Sequence, residues 1–309
     1  MTFLGLPAAD LEAAADVAIL GIPFGMAYPD AGLTTGCVEA PAAIRARSGR
    51  LARFLDHHDF ELDGPMLPPG GGFRIVDAGD VPGAPDAGPA NHAAAESAVA
   101  SVLNTRTVPI VLGGDDSVCI PVIRAYAGRG PLWILQVDAH LDFRHEVEGV
   151  REGYSSPMRR ATELADVAGI VQVGLRGVGS ARTADVADAR AAGNLLVTAR
   201  ELRERGVAWL VEQLPADASV FVAFDCDGLD PSVLPAVSGA APGGLDYAEA
   251  AELLAATATR CQVVGAAFTE LIPARDVNEI SALVVVRLVM RLLAAMARRP
   301  PGAARLSGT

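Results

Sequence analysis

Positive charge is scarce in this chain: 25 Lys and Arg stand against 37 Asp and Glu, for a formal net charge of −12. Nucleic acids and anionic membrane surfaces both require clustered Lys and Arg. Neither is an expected partner, and a small-molecule substrate fits better. Cysteine is sparse too, and Cys37, Cys119, Cys226 and Cys261 are widely spaced with no CxxC pair. That excludes a zinc knuckle and a disulfide framework and points to a reducing cytoplasm. The N-terminus lacks a basic segment followed by a cleavable apolar stretch. The most apolar helix candidate, 280–296, is interrupted by Arg287 and Arg291, so neither export nor a membrane span is expected. Aromatics are few, at 5%, and Ala, Gly, Val and Leu dominate. At 309 residues such a composition suits an α/β chain with a large core, read as a single domain over 1–309. No repeated unit, low-complexity tract or charged tail is present, and the end after Arg299 is expected to fray.

What is present is a steady alternation of short β-branched runs and alanine-rich stretches. Strands are predicted at 17–22, 73–76, 108–112, 132–137, 170–173, 195–197, 220–224 and 263–268. Helices are predicted at 39–48, 90–103, 117–127, 157–166, 181–192, 199–214, 247–258 and 275–298. The Gly- and Pro-rich stretch 21–36 reads as a long loop over one end of the sheet. Strand and helix in alternation imply parallel pairing through right-handed crossovers. Eight strands are compatible with either an open three-layer sandwich or a closed barrel.

Chemistry collects where apolar strands stop. LWILQVDAHLD ends in Asp138, His140 and Asp142; VPIVLGGDDS ends in Asp115 and Asp116. VFVAFDCDGLDPS ends in Asp225, Asp227 and Asp230, and VVGAAFTELIPARD carries Glu270. Carboxyl ends of parallel strands face the same way, so these side chains should converge on one crevice. Five or more carboxylates there would repel one another unless divalent cations neutralised them. Hard oxygen donors with one imidazole suit Mn2+ or a similar ion. Two ions are expected, with Asp138 and Asp225 able to bridge and a shared water of lowered pKa supplying hydroxide. Asp115, Asp230 and Asp276 read as turn or cap residues. His57, His58 and His92 read as solvated.

The set GGDDS, DAHLD, AFDCDGLDP and TELIP resembles the ureohydrolase family of arginase, agmatinase and guanidino-acid hydrolases. The likeness extends through GIPFG at Gly21, PAAIR at Pro41 and DAGDV at Asp77. It implies an arginase-like three-layer α/β/α sandwich with an eight-stranded parallel sheet, and two Mn2+ ions per subunit. The implied reaction is hydrolysis of a guanidino group to urea and an amine, and the implied assembly a homotrimer or homohexamer. By resemblance, Asp138 and Asp225 bridge the ions, His140 and Asp227 complete one, and Asp116 and Asp142 the other. Glu270 would hold the guanidinium and Asp142 relay a proton.

Two positions depart from the family pattern. Its first motif normally reads GGDHS, where this chain has Asp116. The HG that often precedes the PFRRA-like segment is here Tyr154-Ser155 ahead of Ser156 and PMRRA. His145, in the same loop, is the candidate for the missing proton shuttle, with a solvated loop histidine as the alternative. These departures motivate a second reading, a non-catalytic partner subunit that keeps the fold. A deacetylase of the related fold is disfavoured by the contexts of Asp142 and Glu270. The loop 143–156 should overhang the site. Arg144 and Arg151, with Tyr154 and Ser155, are expected to meet the substrate. The arginines would suit a carboxylate tail, whereas Glu146, Glu148 and Glu152 would suit an amine, and agmatine is the expected substrate. With Asp116 in place of histidine, one ion would have an all-oxygen shell of Asp116, Asp138, Asp142 and Asp225. That favours a hard ion and an alkaline optimum.

Overall fold

In the computed structural model, which describes residues 1–26, 28, 35–69 and 72–299, eight strands form one sheet. They are β1 (Val17–Ile22), β2 (Ile75–Asp80), β3 (Val108–Gly113), β4 (Leu132–Val137), β5 (Val167–Leu175), β6 (Leu195–Thr198), β7 (Ser219–Asp225) and β8 (Gln262–Thr269). Every pairing is parallel, in the order β2-β1-β3-β8-β7-β4-β5-β6. The sheet is therefore open, with β2 and β6 at its edges, which decides for the sandwich over the barrel.

Alternation along the strands sends successive side chains to opposite faces, and both faces are covered. Ile19, Ile110, Leu135, Val171 and Val222 face a layer of α1 (Ala40–Ser48), α6 (Ala199–Arg205), α7 (Val207–Glu212), α8 (Tyr247–Arg260) and α9 (Ile280–Arg298). Leu20, Val111, Ile134, Ile170 and Phe221 face α2 (Gly88–Asn104), α3 (Cys119–Arg124), α4 (Pro157–Ala161) and α5 (Thr183–Ala191). Burial on both sides is why the central strands are continuous apolar runs. α9 is long and apolar enough to cross a membrane by length and composition, yet 56% of that stretch is buried inside the protein. Its Arg287 pairs with Asp59 at 2.8 Å, and Arg291 donates to the Glu61 carbonyl.

Several predicted helices are shorter than the periodicity suggested, each for a local reason. The stretch 199–214 is two helices, because Gly206 at φ 85° turns the chain in a conformation that costs a non-glycine residue. The stretch 117–127 starts as a 3-10 turn, Asp116–Val118, and 157–166 is helical only to Ala161. The last helix begins at Ile280, since the Asp276 side chain accepts from the amides of Ser281 and Ala282 and so caps it. β2 lies at Ile75–Asp80 rather than 73–76. Part of the predicted 21–36 loop, and the tail after Arg299, lie outside the described residues.

The sheet order places the chemistry. β3, β8, β7 and β4 are immediate neighbours at the centre, and these are the four strands followed by the predicted ligand acids and Glu270, whereas Asp80 ends β2 at the sheet's edge. Their carboxyl ends share one edge.

Candidate metal centre

Three of the four strand ends, those after β3, β7 and β4, fold back on themselves through their own acidic side chains. After β3, Asp115 accepts from the Ser117 amide at 3.0 Å and from the Ser117 hydroxyl, capping the 3-10 turn that presents Asp116. After β7, Asp225 accepts from the Asp227 amide at 2.7 Å, and Asp227 in turn accepts from the Ala139 amide at 3.1 Å. After β4, Asp138 accepts from the His140 amide at 2.5 Å. Asp142 at φ 47° and Glu270 at φ 67° both sit in the left-handed region. For residues with a Cβ this is costly backbone, tolerated where the surroundings over-determine it, and such strain collects at functional sites.

Two groups of side chains bring ligand atoms within 4.8 Å of one another: Asp138, His140 and Asp227, and Asp116, Asp138, Asp142 and Asp225. Asp138 belongs to both. His140 Nδ1 lies 2.9 Å from Asp227 and 3.6 Å from Asp138. Glycines on two loops close round this imidazole: a Cβ at Gly179 would fall 2.5 Å from its Cδ2, and one at Gly239 2.7 Å from its Cε1. Glu270 accepts from the Asp116 amide at 2.9 Å and from the Ser238 hydroxyl at 2.6 Å.

Burial dominates the electrostatics. It pushes the Asp138 carboxyl up to about 7, with the Asp227 charge adding to it, and Glu270 up to about 8, with Asp115 adding to it. Burial first, and neighbouring carboxylates second, also raise Asp142 and Asp225, and burial raises Asp116. Hydrogen bonds to Asp138 and Asp227 lift His140 to about 10. So much buried carboxylate is stable only with protons or cations among it. The donor set fits hard divalent cations, all oxygen in one group and one imidazole added in the other. A particular atom supports the fit: Asp116 Oδ2 is buried with no hydrogen-bond partner, although Oδ1 takes the Thr269 hydroxyl at 2.7 Å. An acceptor left open in this way is what a cation would fill.

The remaining expected residues are scattered. His145 is exposed, and its carbonyl, rather than its ring, takes a bond from Arg160. Arg144 turns to the Ser180 carbonyl at 2.9 Å and to Asp185 at 3.5 Å, and the exposed Arg151 to Glu163 at 3.6 Å. Tyr154 packs edge-on against Tyr28, and burial together with Tyr28, Glu270, Asp115 and Asp142 pushes its phenol up to about 12. Ser155 is buried and donates its amide to the Tyr28 hydroxyl. Asp230 binds the amides of Ser232, Gly243 and Gly244, the turn role its sequence suggested. His57 and His58 are exposed as expected. His92 is not solvated: it is buried on α2 with Nδ1 3.0 Å from Glu152, because α2 packs beneath the 143–156 loop.

Sequence reading missed a row of amides. Gln136 donates to Asp138 at 2.6 Å, Gln172 donates to Gln136, and Asn194 donates to Gln172. A glutamine inside the apolar run of β4 was the available signal. Arg176 was missed as well; its guanidinium gathers the carbonyls of Gly174, Asp227, Gly228, Leu229 and Ala241, joining the Asp227 turn to the 239–244 loop.

Comparison with known proteins is consistent with this geometry. A family model described as the arginase family matches residues 15–295. Proclavaminate amidinohydrolase of Streptomyces clavuligerus is 31% identical over 96% of this chain and 93% of its own. A solved structure of that enzyme has a TM-score of 0.81 at 29% identity, covering 96% of this chain and 97% of that one. Guanidinopropionase of Pseudomonas aeruginosa is 31% identical over 96% of this chain and 91% of its own. A Trypanosoma cruzi formiminoglutamase solved with Mn2+ matches at a TM-score of 0.78 and 25% identity, over 97% of this chain and 99% of that one.

Proposed function

Since this chain belongs to the arginase family of hydrolases acting on guanidino compounds, we propose that it converts a guanidino substrate and water to urea and an amine at the carboxylate cluster. The observation that carries this reading is the pair of ligand groups sharing Asp138, with Glu270 beside them on the Asp116 amide. Asp138 and Asp225 would span two ions, His140 and Asp227 would complete one, and Asp116 and Asp142 the other, with Mn2+ the ion that this donor set suits. When bound, the ions would neutralise the carboxylates and lower the pKa of a shared water, making hydroxide available at neutral pH.

The chain's own residues do the rest. Glu270 takes the Ser238 hydroxyl and the Cys37 thiol at Oε2 and only the Asp116 amide at Oε1, so Oε1 keeps a lone pair with which to hold a guanidinium by a charge-assisted hydrogen bond. Asp142 hydrogen-bonds the attacking water and takes its proton. Addition at the guanidino carbon follows, the proton passes from Asp142 to the substituted nitrogen as its bond to that carbon breaks, and the departing amine takes a second proton from the hydroxyl left on carbon, whose oxygen becomes the urea carbonyl. Guanidinium plus water thereby becomes urea plus an ammonium, with charge conserved. His145, exposed in the 143–156 loop, is assigned the exchange of protons with solvent.

The favoured substrate is agmatine. Arg144 and Arg151, which would receive a substrate carboxylate, are engaged with Asp185 and Glu163. The acidic chain attracts a dication. A cytoplasmic location suits four free, buried cysteines. The assembly proposed is a homotrimer or homohexamer, which light scattering checks; a clean monomer mass at micromolar concentration contradicts it. Urea release from Mn2+-loaded protein across agmatine, guanidinobutyrate, guanidinopropionate and arginine tests the reaction. Greater efficiency on guanidinobutyrate overturns agmatine, and no urea from any of them with metal bound leaves the non-catalytic partner reading.

A further inference from the structure

Buried amides are usually satisfied by backbone, yet three in this protein satisfy one another in a row that ends on the carboxylates. Gln136 and Gln172 are register partners on β4 and β5, and Asn194 immediately precedes β6. All three are buried. Asn194 Nδ2 donates to Gln172 Oε1 at 2.9 Å. Gln172 Nε2 donates to Gln136 Oε1 at 2.6 Å and to the Leu141 carbonyl at 2.8 Å. Gln136 Nε2 donates to Asp138 Oδ2 at 2.6 Å and reaches Asp142 Oδ2 at 3.4 Å.

Direction is the informative property. An amide has a donor end and an acceptor end, and here each is turned by the one further from the site. Gln172 cannot reverse without aiming its oxygen at the Leu141 carbonyl. Gln136 cannot reverse without aiming its oxygen at Asp138 and Asp142 while leaving its nitrogen against the Gln172 nitrogen. We propose that Asn194, Gln172 and Gln136 form a one-way amide relay that holds the Asp138 and Asp142 carboxylates in register for metal, with Gln136 the positioning residue and Asn194 its outer anchor. This rests on the metal-centre reading above. A neutral donor suits the place, because it fixes the carboxylate that both ligand groups share without adding charge. Groups that orient metal ligands from behind change metal affinity by about 10–100-fold when removed.

Mn2+ binding to the metal-free, full-length protein, followed by titration calorimetry, tests the relay. Gln136→Met keeps the shape and deletes the donor, and is expected to weaken Mn2+ binding by about 10–100-fold. Asn194→Asp is isosteric, lies at the sheet's edge, and touches neither Asp138 nor Asp142; it removes the donor that orients Gln172. It is expected to weaken Mn2+ binding by about 10-fold, and the carboxylate it buries against Gln172 Oε1 to lower the thermal midpoint of the metal-free protein. In the Gln136→Met background it should add nothing, because residues acting through one another are not additive. Additive losses, or an Asn194→Asp protein with wild-type Mn2+ affinity, overturn the relay. Wild-type protein that takes up no Mn2+ overturns the metal centre itself, a failure distinguishable from the first because it precedes any substitution.

Discussion

Stripping the metal should make the stability of this protein fall steeply with rising pH, and Glu270 sets the scale. Its carboxyl is held from 4.5 up to about 8, chiefly by burial. With a folded pKa above the unfolded one, the metal-free fold binds protons more tightly than the unfolded chain. The resulting stability is full below about pH 4.5 and is lost as pH rises through about 8. At about 1.4 kcal/mol for each factor of ten, Glu270 alone accounts for about 5 kcal/mol. Domains are stable by only about 5–15 kcal/mol, so the loss is large. It corresponds to about 10 °C in thermal midpoint for a chain of this size. Asp138, held from 3.8 up to about 7, acts in the same direction. The assay is thermal and urea unfolding of chelated protein at pH 5 and pH 8.5, repeated with Mn2+ and with Glu270→Gln. Metal should remove most of the slope, and Glu270→Gln part of it. Equal stability of the chelated protein at both pH values, or the same slope with metal bound, would refute the reasoning.

Three further outcomes are expected. Asp116→His should keep both ions and move the activity profile toward lower pH, while Asp116→Ala should lose one ion and most turnover; metal analysis beside the pH–rate profile checks both. Gly239→Ala would place a methyl 2.7 Å from His140 and 2.9 Å from Asp227, so it should weaken the ion held there by at least about 10-fold, read by calorimetry, while the other ion stays. Arg176→Leu orphans the carbonyls that its guanidinium gathers, and should cost about 2–4 kcal/mol in urea unfolding.

The acids of the centre were legible because each follows an apolar strand, and a parallel sheet turns all carboxyl ends to one side. Asp138, His140, Asp142, Asp225 and Asp227 could therefore be named from the sequence. The cap roles of Asp115, Asp230 and Asp276 were legible for a similar local reason, a short acid beside a turn. Asp116 was separable from Asp115 only by resemblance, and the geometry bears on the choice: Asp115 spends its oxygen on Ser117, whereas Asp116 keeps one open. Helix lengths were overstated wherever a single residue interrupts the period, as Gly206 does in 199–214.

What the sequence by itself determined is the alternation of strand and helix and the kind of side chain at each strand end, since both are written in the order of residues along the chain. Tertiary structure decided which strands are neighbours. Only the order β3-β8-β7-β4 brings the four acidic ends together, and it follows from which faces the helices cover rather than from any local pattern. It also decided that Arg144 and Arg151 turn to Asp185 and Glu163, and that Gln136 and Gln172 stand side by side. Hydrogen bonds between residues 22 to 36 positions apart leave no period in the sequence, because they depend on which strand lies alongside which.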